Sequence, residues 1–298
     1  MNIILFFTYG ISLKDWENSG LLDREIEFYR EQNKINNINF TFVTYGDNKD
    51  LEVLNIPYIQ VIPIYGLVKK NKNKFYRILK SFYVPFVLSK EIRNSNILKT
   101  NQLNGSWVAL ISKFIYKKPL IIRTGYDLYE FSKMNKKNLI ILIFHYILTK
   151  ISLFYSNIYL VTSKADLNRL KKISIKHLNK VVIRPNWVKI NMTKNLSERY
   201  NNKIISVGRL EKQKDYIFLI RGLENTNYHI DIFGEGTLRD KLIDLSKTSG
   251  LELEIYDPVP NKELLKILNN YKVFISTSKF EGNPKAVLEA MGSGCIVI

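Results

Sequence analysis

Short, largely apolar runs alternate with longer amphipathic stretches along the whole chain, and the alternation restarts once. Runs near 3–7, 40–44, 60–62, 97–99, 120–123, 158–161 and 181–183 have strand length and little polar character. Helical stretches near 20–33, 75–92, 106–116, 138–155 and 165–172 separate most of them. After a polar stretch over 189–202 the pattern resumes, with strands near 204–207, 229–233, 253–255, 273–276 and 295–298. Strands that lack a polar face are buried on both sides, which predicts parallel sheets covered by helices. The restart predicts an α/β chain of two Rossmann-like domains, 1–184 and 185–298, facing a cleft. Ligands are then expected beyond the carboxyl ends of the strands.

With 298 residues, 46% of them hydrophobic, the chain is long enough for two cores. The lone Cys295 excludes an internal disulfide framework and fits a reducing cytoplasm, and its apolar neighbours make it a packing residue. His145, His177 and His229 are scattered, two of them inside apolar runs, so they read as structural and no metal site is expected. The first seven residues turn polar too soon for a secretory signal, and 139–155 is interrupted by His145, Thr149 and Lys150. No membrane span is expected.

Charge is divided unevenly. Residues 1–190 hold 30 Lys and Arg against 13 Asp and Glu, whereas 191–298 hold 15 against 14. Such a field admits nucleic acid, anionic lipid or acidic glycan as partners. No zinc finger, RRM or KH signature is present, so nucleic acid is not expected. Within 69–83, lysines are mixed with Phe75, Ile78, Leu79 and Phe82 at helical spacing. That pattern suits an element lying on an anionic bilayer, or a core-facing stripe with a solvated lysine face. The charge asymmetry favours the bilayer, which predicts a cytoplasmic protein held peripherally on the inner membrane face.

The densest cluster of informative residues is Glu281-Gly282-Asn283-Pro284-Lys285 followed by Glu289, Gly292 and Gly294. It reads as a loop after a buried strand, then a helix with Asn283 as N-cap, Pro284 at the first helical position and glycine at the exit. Amides at such a helix start favour a phosphate. A carboxylate accepts hydrogen bonds from two adjacent hydroxyls of a ribose or hexose, which suits Glu281 and Glu289. The plain alternative is a loop acid and a Glu289–Lys285 helix pair contributing about 0.2–0.5 kcal/mol.

Glu281-Gly-x-Pro, Leu288-Glu-Ala-Met and Gly292-x-Gly together resemble the nucleotide-sugar motif of the GT-B glycosyltransferases of family 4, also called group 1. Val207-Gly208-Arg209-Leu210 with Lys214 resembles a second motif of that family, in which Asp215 stands where glycine is frequent. The resemblance implies a retaining glycosyltransferase. It would move a sugar from a nucleoside-diphosphate sugar to a glycan or lipid-linked acceptor in bacterial surface polysaccharide synthesis (lipopolysaccharide, capsule or exopolysaccharide). It implies that Arg209 and Lys214 hold the leaving diphosphate and that Glu281 binds donor-sugar hydroxyls. The amides of Gly282, Asn283 and Lys285, with Pro284 among them in the loop, would line the sugar and phosphate, and Glu289 would bind the ribose. Gly20, Gly208 and Gly234 would border the donor, and Pro258 and Val259 the base. Glu281, Arg209 and Lys214 are the implied catalytic residues, with no metal and no other cofactor. The segment from Arg123 to Asp127 is a further candidate near the acceptor, without the histidine frequent there in the family. The family extends some tens of residues beyond the position of Ile298, so a truncated second domain is expected. The other readings are a nucleotide-sugar epimerase or phosphorylase on the same fold, or a polyanion binder with a vestigial sugar site.

Overall fold

The computed structural model describes residues 1–125, 127–190 and 192–298. Contacts divide them into two units, Met1–Asn18 with Ile26–Pro185, and Ser19–Glu25 with Asn186–Ile298.

The first unit is built on strands β1 (Asn2–Phe6), β2 (Asn39–Thr44), β3 (Ile59–Pro63), β4 (Ile97–Thr100), β5 (Leu120–Arg123), β6 (Ile158–Val161) and β7 (Val181–Ile183). They form one sheet in the order β3-β2-β1-β4-β5-β6-β7, and every pair is parallel. Ile4, Leu5, Leu98, Leu120 and Ile122 are fully buried, as continuously apolar strands require when helices cover both faces. Burying each such side chain contributes about 1.5–3 kcal/mol.

Two helical expectations are corrected. The stretch 75–92 is three helices, Lys74–Ser81, Val84–Val87 and Ser89–Asn94, because Pro85 lacks an N–H and its ring collides with the preceding turn. The stretch 20–33 is a helix over Leu22–Asn36 preceded by a separate one over Leu13–Asn18. The break lies at Gly20, whose φ of +65° is left-handed. The helix Leu139–Tyr155 begins where Asn138 caps the amide of Ile141 at 2.9 Å. Among the described residues no helix is long and apolar enough to cross a membrane.

The second unit repeats the plan with β8 (Tyr200–Val207), β9 (His229–Phe233), β10 (Glu252–Tyr256), β11 (Tyr271–Phe274) and β12 (Ile296–Val297). Their order is β10-β9-β8-β11-β12, again all parallel. Ile205, Ile230 and Ile232 are fully buried. Because β9 and β10 lie on one side of β8, and β11 and β12 on the other, the chain reverses direction between β8 and β11. A crevice at the carboxyl ends of two such neighbours is where ligands bind in doubly wound sheets.

Candidate functional site

The loops that leave β8 and β11, residues 208–215 and 275–284, flank that reversal and are laced together. The Lys279 amide donates to the Gln213 carbonyl at 2.9 Å, and Gln213 Nε2 donates to the Phe280 carbonyl at 3.0 Å. Thr277 Oγ1 donates to the Lys214 carbonyl at 2.9 Å. These bonds fix where the charged side chains stand. Lys214 Nζ lies 2.6 Å from Glu281 Oε1, a half-buried ion pair across the two loops. Arg209, on the loop after β8, is exposed and makes no ion pair among the described residues.

Glycine serves backbone approach here. A Cβ on Gly234 would lie 2.0 Å from the Gly208 carbonyl oxygen, so β8 and β9 can come this close at their ends only if position 234 carries no side chain. Asp215 has φ of +49°, the left-handed conformation that glycine adopts most readily and Asp tolerates.

The motif helix spans Lys285–Gly292, one residue later than the sequence suggests. Pro284, not Asn283, is the N-cap, and no side chain caps the helix. Asn283 is committed elsewhere: its Oδ1 accepts from the Asn186 amide at 2.6 Å, while its carbonyl accepts from Asn186 Nδ2 at 2.5 Å. Lys285 does not pair with Glu289; its Nζ pairs with Glu25, which belongs to the same unit. Gly282 is half-buried in the loop.

Glu289 is 2% exposed. Its Oε1 accepts from Asn261 Nδ2 at 2.9 Å and lies 3.7 Å from Arg24 Nη1, while its Oε2 has no hydrogen-bond partner. Burial pushes its pKa up, with Arg24, Asn261 and Lys285 opposing that shift. Buried carboxylate oxygens are rarely left unserved, and Oε2 keeps its capacity to accept a hydrogen bond. Val259 is half-buried and Pro258 exposed on the loop after β10. Gly20 lies against this loop, since a Cβ there would be 3.6 Å from the Val259 carbonyl.

Several contributors escaped the sequence. Asn261, Arg24 and Asn186 carry no motif, and only a contact identifies them. Arg199 is another. Buried at 3% exposure, it donates to the carbonyls of Lys194 (2.7 Å), Tyr271 (3.2 Å) and Ser293 (2.8 Å). Ser293 is the C-cap of the motif helix, so a cation sits where the helix dipole is negative.

The remaining candidates belong to other elements. In the first unit Asp127 caps the helix Leu128–Met134, accepting from the Glu130 amide at 2.9 Å, and burial raises its pKa. Tyr126 lies outside the described residues. His145 Nδ1 is bonded to Ser132 Oγ at 2.8 Å, and burial lowers its pKa. His229 at the start of β9 is bonded to Asp231 at 2.8 Å, and Tyr271 donates to the same carboxylate at 2.5 Å. His229, Asp231 and Glu254 offer metal-capable atoms within 4.8 Å of one another, at the strand ends opposite the loops. Cys295 is buried, which raises its pKa, and its Sγ lies 3.3 Å from the Leu268 carbonyl.

Residues 189–298 match the model of the family described as glycosyl transferases group 1. An uncharacterized glycosyltransferase, MJ1059, of Methanocaldococcus jannaschii is 30% identical over 164 residues, which cover 48% of this chain and 39% of that protein. The N-acetylgalactosamine-N,N'-diacetylbacillosaminyl-diphospho-undecaprenol 4-alpha-N-acetylgalactosaminyltransferase of Campylobacter jejuni is 35% identical over 101 residues, 32% of this chain and 27% of that protein. The chain thus spans less than half the length of these curated relatives. Among solved structures, a lipopolysaccharide outer core galactosyltransferase, WaaB in its apo form, is superposable with a TM-score of 0.67 at 19% identity, covering 100% of this chain and 80% of that one. At that identity the likeness is one of fold, GT-B.

Proposed function

We propose, from the match of residues 189–298 to the model of the glycosyl transferases group 1 family, that this chain is a retaining glycosyltransferase whose second unit binds a nucleoside-diphosphate sugar. The observation that carries the reading is Glu289. Its buried, unpartnered Oε2 lies in the helix that follows β11, and hydroxyls of a ribose are the donors such an oxygen suits. Lys214 and Arg209 bring positive charge to the loop after β8, where a diphosphate leaving group gains charge as its bond to the sugar breaks. Stabilising that charge lowers the barrier. Glu281, held by Lys214, keeps its remaining oxygen for hydroxyls of the donor sugar.

In the reaction the bond from the anomeric carbon to the diphosphate oxygen breaks and a bond to the acceptor hydroxyl oxygen forms on the same face. The leaving phosphate oxygen takes the hydroxyl proton. The cations and the helix-start amides take the electrostatic role that a metal plays elsewhere.

The acceptor is a glycan or a lipid-linked sugar of surface polysaccharide synthesis, reached from the cytoplasmic face. Two kinds of support stand behind this: a relative whose name includes a diphospho-undecaprenol acceptor, and the surface of the first unit. There Phe75, Tyr76, Leu79 and Phe82 are exposed among Lys69, Lys70, Lys72, Lys74 and Lys80, as is fitting for a segment seated on anionic lipid. Vesicles containing phosphatidylglycerol should therefore sediment the protein at low salt, with each lysine changed to glutamine weakening binding by about 1 kcal/mol. Equal sedimentation with neutral vesicles would count against it.

Thermal-shift and calorimetric titration with UDP, GDP and dTDP sugars test the donor site. Glu289→Gln is expected to weaken the stabilising nucleotide about tenfold or more, the cost of a charge-assisted hydrogen bond made neutral. The same change should leave the ligand-free protein more stable near neutral pH. Burial raises the Glu289 pKa, so ionising it costs stability that returns as pH falls through the raised value. Unchanged affinity in Glu289→Gln for every nucleotide that binds would sink the reading. An epimerase would release an isomerised donor without acceptor, and a phosphorylase would require inorganic phosphate.

A further inference from the structure

The first unit carries a second polar constellation, at the carboxyl ends of β1, β2 and β3. Tyr9 follows β1, Tyr45 follows β2 and Tyr65 follows β3, and their rings interlock. The Tyr9–Tyr45 centroids are 4.9 Å apart and the Tyr45–Tyr65 centroids 6.4 Å. Facing them is the segment 69–81. Tyr45 and Tyr65 line a pocket with that segment, in which Tyr45, Tyr65, Lys69, Asn71, Arg77 and Lys80 supply the polar groups.

Three features separate this pocket from an ordinary solvated lysine face. First, the Nε of Arg77 is buried and has no hydrogen-bond partner. A guanidinium N–H is not left unserved without cost, about 1–3 kcal/mol for a buried donor. Second, among the described residues Arg77 makes no ion pair, and the sequence has six Lys and Arg within 69–80 and no Asp or Glu from 53 to 90. Third, the pocket is rigidly walled. Trp107 Nε1 donates to Ser81 Oγ at 2.8 Å, Lys80 Nζ to the Lys69 carbonyl at 3.1 Å, and Lys70 Nζ stands 5.1 Å over the Tyr65 ring. Burial raises the Tyr65 pKa while the nearby Arg77 charge lowers it, which keeps that hydroxyl a donor at neutral pH.

We infer that this pocket binds a phosphate group, with Arg77 as the planar fork, Lys69 and Lys80 as flanking charges, and Tyr65 and Asn71 as neutral donors. A neutral sugar would need acceptors for its hydroxyls, and the lining offers mainly donors. A guanidinium with two ammonium groups suits a doubly charged oxyanion more than a single carboxylate. On the reading of the first unit as the acceptor domain, the phosphate is one that the acceptor carries, so the enzyme selects phosphorylated over unphosphorylated acceptors.

The test is calorimetric titration with inorganic pyrophosphate, using the full chain carrying Arg209→Ala and Lys214→Ala so that the second unit contributes no diphosphate site. One saturable site with Kd below about 1 mM is expected. Arg77→Gln should weaken it at least tenfold, and Lys80→Gln, at an exposed position, severalfold. Glucose 1-phosphate should displace the ligand and glucose should not. Absence of saturable binding, or equal affinity in the parent and in folded Arg77→Gln and Lys80→Gln, would overturn the inference. Displacement by glucose would reassign the pocket to the sugar. Because nucleotide binding is read separately on Lys214-containing protein, failure of the donor site leaves this measurement intact.

Discussion

Lys214→Ala is expected to slow release of nucleoside diphosphate from the donor sugar by about 10²–10³-fold, the usual loss when one preorganised donor to a developing charge is removed. The loss should fall mainly on kcat, because the charge that Lys214 meets grows as the bond breaks. Its geometry sharpens the expectation. Nζ is 2.6 Å from Glu281 Oε1, so removing it also leaves a half-buried carboxylate without its cation and next to a phosphate. Glu281→Ala alone should be damaging too, and the double variant should be much less impaired than the product of the two single effects, since the pair acts as one unit. Lys214→Arg should recover part of the rate, because the charge returns in a different shape. A Lys214→Ala chain within threefold of the parent, as measured by nucleoside diphosphate released, contradicts the assignment.

Arg199→Leu should cost the second unit on the order of 3–5 kcal/mol, since each buried acceptor left without a donor costs about 1–3 kcal/mol. Three carbonyls, those of Lys194, Tyr271 and Ser293, lose theirs together. The guanidinium joins the entry to β8, the start of β11 and the end of the motif helix, so its loss loosens the frame behind Glu289. Urea unfolding followed by limited proteolysis within 186–298 reads the effect. The second unit is expected to open well before the first. Arg199→Lys should be intermediate, as an ammonium reaches fewer carbonyls. A shift below about 1 kcal/mol would mean that the carbonyls find other donors, and the bracing role would fall.

The strands were legible because a strand buried on both faces must be apolar throughout, and that signature survives without any knowledge of neighbours. Runs at 120–123, 158–161, 181–183 and 229–233 coincide with β5, β6, β7 and β9. Helices were legible where an end carried its own signal, as at Asn138. They were misjudged where a local breaker competed with a good amphipathic pattern. Pro85 divides the stretch 75–92, and Gly20 precedes the helix read from 20 and sets it off from one over Leu13–Asn18 that the pattern did not reveal. Asn283 shows a different limit. Its place before Pro284 made it a fitting N-cap, yet Asn186, 97 residues earlier, takes both its side-chain oxygen and its carbonyl. Local propensity cannot see a partner so distant in the chain.

The sequence by itself determined the α/β alternation, the restart that makes two sheets, and the residue types around Gly208–Lys214 and Glu281–Glu289 from which a donor site can be built. It did so because burial and backbone conformation act on nearest neighbours, and the pattern records them. Only the tertiary structure decided who meets whom. It paired Lys214 with Glu281 and left Glu289 Oε2 without a partner. It set Arg199 at the end of the motif helix and gathered Tyr45, Tyr65 and Arg77 into one pocket. Parallel sheets place the carboxyl ends of strands distant in sequence side by side, so the chemistry at those ends is fixed by strand order, which no single stretch of the chain encodes.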